Sequence, residues 1–169
     1  MLTERSAPKT CSNCKTKPPV DAEFCPRCGS AFVDNLKCRK HKKVEALGVC
    51  VICCVPYCAE CATRVNKTLL CRDHEGYEIY EGMARVYGIS DPAAAQYVGS
   101  CLEQQGLHPF LYSMKASPLL IGGSDYTLFR ASGEYDGHIV NEVKVMVPCN
   151  EVIQAEHLIH SLESKTAKR

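Results

Sequence analysis

The sequence predicts small cysteine-rich modules that depend on metal to fold, followed by an α+β sandwich. Three observations carry that expectation. Eleven of the 13 cysteines fall between Cys11 and Cys71, and only Cys101 and Cys149 lie beyond. Most of the eleven come in pairs separated by two residues. From residue 82 onward the chain changes to alternating and helical apolar periodicity, the pattern of an ordinary core. A length of 169 residues accommodates one or two domains of conventional size.

The redox setting bears on what the cysteines do. The first residues, MLTERSAPKT, contain no apolar core of a secretory leader, and no stretch approaches the ~20 apolar residues of a membrane helix. The expectation is a cytoplasmic chain without a membrane partner, in which thiols stay reduced and cysteine clusters bind metal. An odd number of cysteines also fits poorly with complete disulfide pairing.

The first module spans residues 8–33. Cys11 and Cys14 are followed after ten residues by Cys25 and Cys28. Two residues between thiols let one tight turn aim both sulfurs at one ion, and two such turns complete a tetrahedron with Zn–S near ~2.3 Å. Gly29 follows the second pair, where a left-handed backbone is often needed. Phe24 and Phe32 can supply a minimal apolar patch. Some 25 residues bury too little surface to fold alone, whereas a structural zinc contributes roughly 10–16 kcal/mol of apparent binding energy. A pair of redox CxxC motifs, or iron in the four-thiolate site, remains an alternative. The FCPRCG stretch resembles a short bacterial zinc ribbon.

The second module spans residues 36–76 and holds four more pairs: Cys38 with His41, Cys50 with Cys53, Cys58 with Cys61, and Cys71 with His74. Eight donors suffice for two closed tetrahedral sites. Sequential pairing would join the first pair to the second and the third to the fourth. Interleaved pairing would join the first to the third and the second to the fourth. The four-residue gap between Cys53 and Cys58 suits a short turn from one site to the other. The segments KCRKH, VCVICCVPYCAEC and LLCRDH resemble the B-box zinc finger, including its bacterial versions. That resemblance implies the interleaved cross-brace. One zinc would then be held by Cys38, His41, Cys58 and Cys61, and another by Cys50, Cys53, Cys71 and His74. With Cys11, Cys14, Cys25 and Cys28, three zinc ions are expected. The last pair departs from the two histidines many B-boxes use. Cys54 belongs to no pair and reads as a spare thiol beside the site.

Charge argues against nucleic acid. Residues 1–76 carry 13 Lys/Arg against 8 Asp/Glu, and residues 77–169 carry 7 against 11. Three zinc–thiolate sites would add negative charge that offsets most of the basic excess. The surviving basic run, KCRKHKK at 37–43, lacks the interleaved aromatics that stack on bases and reads as a solvated loop.

The last region, residues 82–164, predicts a strand at 83–89 and a helix capped by Asp91 with Pro92 in its first turn. Ala94, Val98, Cys101 and Leu102 form an apolar stripe, and Gly106 stops the helix. Strands are expected at 108–113, 125–131 and 141–148, with Gly122-Gly123 as a turn. Asn150 is expected to cap a second helix carrying Val152, Ala155, Ile159 and Leu162 at helical spacing. Helices on one face of a sheet make an α+β sandwich. The stretches ARVYGISDPAAAQYVGSCLEQQGL and VKVMVPCNEVIQAEHLIHSLE resemble a small family of prokaryotic signal-transducing proteins, which implies a ferredoxin-like fold.

Candidate chemistry in this region is thin. His157 and His160 are three apart and read as a surface pair. GGSD at 122–125 reads as a turn, and Cys101 as a small core residue. Cys149 precedes a helix whose dipole could lower its pKa, but reads as inert. No paired carboxylates or Ser/His/Asp set stands out. The sequence therefore predicts a non-enzymatic zinc protein, a regulator or adaptor acting through a protein partner, with an open sheet edge that would permit a homo-oligomer. Two alternatives stand beside it: a thiol-based redox or metal sensor, and a nucleic-acid-binding zinc ribbon protein.

Overall fold

The computed structural model describes residues 10–113 and 142–166. Two compact units divide them. One takes the residues up to Ala84 together with Pro148–Gln154, and the other takes Arg85–Val147 and the residues from Ala155 on.

The first unit contains little regular structure. Strand β1 (Gly48–Val49) pairs antiparallel with β2 (Pro56–Tyr57), and β3 (Ala62–Val65) with β4 (Thr68–Cys71). The β3–β4 turn is Asn66-Lys67, both with positive φ (48° and 69°). This is the two-residue geometry that matches the twist of a tight hairpin, with asparagine favoured at its first position. A second such turn, Glu81-Gly82, joins β5 (Ile79–Tyr80) to the start of β6 (Met83–Ile89). Strands of two residues do not hold their own register. The fully buried side chains around them are Val51, Ile52, Leu69 and Leu70, together with cysteines.

The second unit is built on apolar burial. Helix α1 (Pro92–Gln104) begins where the Asp91 side chain accepts a hydrogen bond from Ala93 N at 2.9 Å, with proline in the first turn. It ends at Gly106, whose φ of 78° lets Leu107 N reach back to Leu102 O. Strands β7 (Phe110–Ser113) and β8 (Val143–Pro148) pair antiparallel, and the sheet order is β5-β6-β8-β7. A 3-10 turn (Cys149–Glu151), which belongs to the first unit, leads into α2 (Val152–Thr166), whose residues from Ala155 on belong to the second.

Several expectations need correction here. The buried face of α1 is Ala95, Val98, Gly99 and Leu102: Val98 and Leu102 are buried as expected, and Ala95 and Gly99 stand in place of Ala94 and Cys101. A Cβ placed at Gly99 would sit 3.6 Å from Leu111 Cδ2, so this residue of the helix faces β7. Asn150 lies inside the 3-10 turn, which has no side-chain cap. Strand β7 begins at Phe110 and β8 at Val143, two residues later than expected in each case. Arg85 and the buried Glu142 form an ion pair in the second unit, with Gly88 leaving room for it. The expected strand at 125–131 and the GGSD turn lie outside the described residues. Among the described residues, no helix is long and apolar enough to cross a membrane.

Candidate metal centres

All 13 cysteines are free thiols. Among the described residues, three groups of four Cys/His donors each lie within 4.8 Å of one another. They are Cys11, Cys14, Cys25 and Cys28; Cys38, His41, Cys58 and Cys61; and Cys50, Cys53, Cys71 and His74. The second and third are the interleaved sets.

The first cluster is made by two copies of one turn. Cys11 N donates to Thr16 O and Lys15 N to Cys11 O; Cys25 N donates to Ser30 O and Gly29 N to Cys25 O. In each, the residue after the second cysteine is left-handed, Lys15 at φ 60° and Gly29 at 74°. That twist folds the chain back so both sulfurs face inward. Arg27 Nη1 donates to Thr16 Oγ1 and ties the two turns together. Phe32 packs on the cluster.

The same turn recurs at the head of the third cluster. Cys50 N donates to Val55 O, Cys54 N donates to Cys50 O, and Cys54 has φ 56°. Cys50–Val55 is thus the loop of the β1–β2 hairpin, and it carries both Cys50 and Cys53. The chain then returns along β2 and delivers Cys58 and Cys61 to the second cluster. The β3–β4 hairpin reverses the move. Cys61 precedes β3, Cys71 ends β4 opposite Ala62, and His74 follows in a turn where its N donates to Cys71 O. Hairpins whose two ends feed different clusters produce the interleaving.

Donor separations test whether an ion fits. A tetrahedral zinc sets sulfur–sulfur edges of about 3.8 Å and sulfur–nitrogen edges of about 3.5 Å. Cys11 Sγ lies 3.6 Å from Cys28 Sγ, and Cys14 Sγ lies 3.5 Å from Cys25 Sγ. His41 Nδ1 lies 3.3 Å from Cys58 Sγ and 3.5 Å from Cys61 Sγ. His74 Nδ1 lies 3.6 Å from Cys50 Sγ and 3.1 Å from Cys71 Sγ. A disulfide would need about 2.05 Å. The donor sets therefore fit a thiophilic ion, with Nδ1 the nitrogen presented by both histidines. The Tyr77 ring packs edge-on against His74, with centroids 5.6 Å apart.

Electrostatics point the same way. Without a cation, one thiol in a cluster ionises at its neighbours' expense. A hydrogen bond from the Cys53 thiol, outweighing burial, pulls Cys50 down to about 4, and the same contact drives Cys53 up. Cys14 falls to about 6: burial opposes ionisation, but hydrogen bonds with Thr16, Cys25 and Cys28 outweigh it. Burial pushes Cys25 up. Burial, then the Cys58 and Cys38 sulfurs, push Cys61 up to about 11. Four facing thiols cannot all become thiolates unless a cation joins them.

The remaining candidates are not gathered into any of these clusters. His157 and His160 are exposed on α2. Cys101 is half-buried beside Tyr97, whose phenol it pushes up. Cys149 is buried, and burial followed by the nearness of Cys50 and Cys54 pushes its pKa up to about 12. The lowering that a helix dipole would give is overridden. Cys54 is exposed and occupies the left-handed turn position, a role that spacing alone did not suggest. The available signal was internal: Cys54 stands to Cys50 and Cys53 as Gly29 stands to Cys25 and Cys28. Comparison of the chain with protein-family models, curated proteins and solved structures gives no match.

Proposed function

We propose that this chain is a non-enzymatic zinc protein that acts as an adaptor or regulator by presenting metal-pinned loops to a protein partner. The observation that carries the proposal is the set of three four-donor groups with zinc-compatible edges. Four protein donors fill a four-coordinate zinc and leave no position for an activated water, which favours a structural role over hydrolysis. Val44 and Leu47, exposed beside the Cys38/His41/Cys58/Cys61 cluster, favour a protein partner over nucleic acid. For residues 36–76 the reading is a B-box cross-brace, supported by the ligand order and the interleaved geometry. For the region from residue 82 it is a ferredoxin-like domain of the signal-transducing type, supported by the strand, helix, strand, strand, helix order of the described elements. Among the described residues β7 lies at an edge of its sheet, a position that would allow self-association.

The deciding experiment is metal analysis of the purified chain by mass spectrometry. Three zinc ions per chain are expected. Iron, or fewer than three equivalents in protein saturated with zinc, would overturn the assignment.

A further inference from the structure

The first cluster and the third are joined by backbone. Val49 N donates to Gly29 O at 2.8 Å, and Leu69 N donates to Cys28 O at 3.1 Å. Cys28 is a donor of the first cluster and Gly29 is its left-handed turn residue. Val49 immediately precedes Cys50, and Leu69 lies two residues before Cys71, both donors of the third cluster. Thr68 Oγ1 adds a hydrogen bond to Arg27 O, and Asn13 Nδ2 one to Lys67 O. Gly29 is the closest point of the junction. A Cβ there would collide with Val49 O and lie 2.9 Å from Leu69 Cβ. Gly48 is similarly closed, against Gly29 O. Glycine at position 29 therefore serves two ends, the left-handed turn and the contact with β1 and β4.

We infer that metal binding at Cys11/Cys14/Cys25/Cys28 and at Cys50/Cys53/Cys71/His74 is thermodynamically coupled through this clamp, so that filling either cluster tightens the other. The inference rests on the zinc reading above. Its physical basis is pre-organisation. With the first cluster filled, the Cys28 and Gly29 carbonyls are fixed and hold β1 and β4 at the separation that brings Cys50 and Cys71 to one ion. With it empty, those carbonyls move with an unfolded loop, and the third cluster must order both strands itself. Two backbone hydrogen bonds toward the low end of their net worth correspond to about tenfold in affinity. Linkage requires the same factor in both directions. None of these joining bonds involves residues 38–41 or 58–61, so the cluster at His41 should respond less.

The test is zinc titration of the full ¹⁵N-labelled metal-free chain against a competing chelator. The ring nitrogens of His41 and His74 report the second and third clusters separately. Cys14→Ser is expected to weaken zinc at the His74 cluster about tenfold and at the His41 cluster less than threefold. Cys53→Ser should weaken the first cluster by the same tenfold, read by cobalt substitution from its four-thiolate absorption. Gly29→Ala keeps all twelve donors but breaks the clamp, so adding Cys14→Ser to it should cost the His74 cluster less than twofold more. If Gly29→Ala does not fold, the reciprocal pair of serine variants decides alone. An effect of Cys14→Ser at His74 within twofold of none, or equal losses at His41 and His74, overturns the coupling while leaving three zinc sites standing. Failure of the wild-type chain to take up three ions overturns the zinc reading itself.

Discussion

The two compact units solve the same problem by different means. In the first, strands β1 and β2 are two residues long, and most of the fully buried side chains are cysteines. In the second, a 13-residue helix sets Ala95, Val98 and Leu102 inward, and Val145 and Val147 of β8 are fully buried. Ordering a chain costs entropy that some favourable term has to offset. A segment with little regular structure and little apolar surface offsets it with ligand bonds to an ion, and a helix-and-strand segment offsets it by burial. The two units should therefore fail under different insults.

Metal removal is the largest such insult. With roughly 10–16 kcal/mol of apparent binding energy at each structural zinc, a strong chelator should unfold the first unit. Hydrogen exchange checks this residue by residue. The amides of Val49, Cys50 and Leu69 should lose protection while those of Val145 and Leu102 keep most of theirs. Uniform loss across both units would break the distinction. Acid should act as the chelator does, because bound thiolates must be reprotonated for zinc to leave.

The converse insult is a cavity. Leu102 is fully buried on α1, so Leu102→Ala should cost about 2–5 kcal/mol. Zinc content should stay at the wild-type value, and exchange protection at Val49 and Leu69 should survive. Loss of zinc in this variant would show that apolar burial in the second unit supports the clusters.

What the sequence revealed differs between the units for the same physical reason. Donor pairs are legible because a tetrahedral ion demands two thiols per tight turn whatever surrounds them. Thus the twelve donors and their six pairs could be read from spacing, and which pairs share an ion in the second and third clusters followed only from a resemblance. The β3–β4 hairpin was not legible: Thr63, Arg64 and Val65 are exposed, so no apolar alternation marks β3, and Asn66 alone hints at the turn. In α1 the Asp91-Pro92 start and Gly106 stop were readable because capping is local. Val98 and Leu102 were readable on its buried face, but Gly99, without a side chain, carries no hydropathy signal although it faces β7. Cys149 was placed with the second region by sequence order, but it belongs to the first unit, where its N donates to Gly82 O.

That placement gives a smaller effect with a defined sign. Cys149 is raised from its ordinary 9.0 to about 12, first by burial and then by Cys50 and Cys54. A folded-state pKa above the unfolded one contributes stability that is complete below pH 9 and is lost as pH rises toward 12. The unfolded chain ionises first, so alkali favours unfolding. Zinc-loaded wild type should lose up to about 1 kcal/mol between pH 8 and pH 10 from this group, measured by denaturant midpoint. Cys149→Ala should remove that part of the slope. An unchanged slope would mean that Cys149 titrates as an ordinary thiol.

The smallest expected effect isolates what Cys54, the thiol of VCVICCVPYCAEC that belongs to no pair, does. Cys54 sits at φ 56°, as Lys15 sits at 60° and Gly29 at 74°, each after the second cysteine of the same turn. At Gly29 a side chain is barred by Val49 and Leu69. At Lys15 and Cys54 the side chains are exposed and the cost is only the left-handed backbone, about 1 kcal/mol for a residue with a Cβ. If Cys54 is a turn residue, Cys54→Gly should keep three zincs and be slightly more stable, by less than about 1 kcal/mol after the added entropy of the unfolded glycine. Cys54→Ser should likewise keep three zincs at near wild-type stability. If Cys54 instead donates to the metal, both variants lose zinc at the His74 cluster, and the glycine variant loses stability with it. Chelator-competed zinc affinity and denaturant midpoints of the two variants distinguish a thiol that shapes the site from one that fills it.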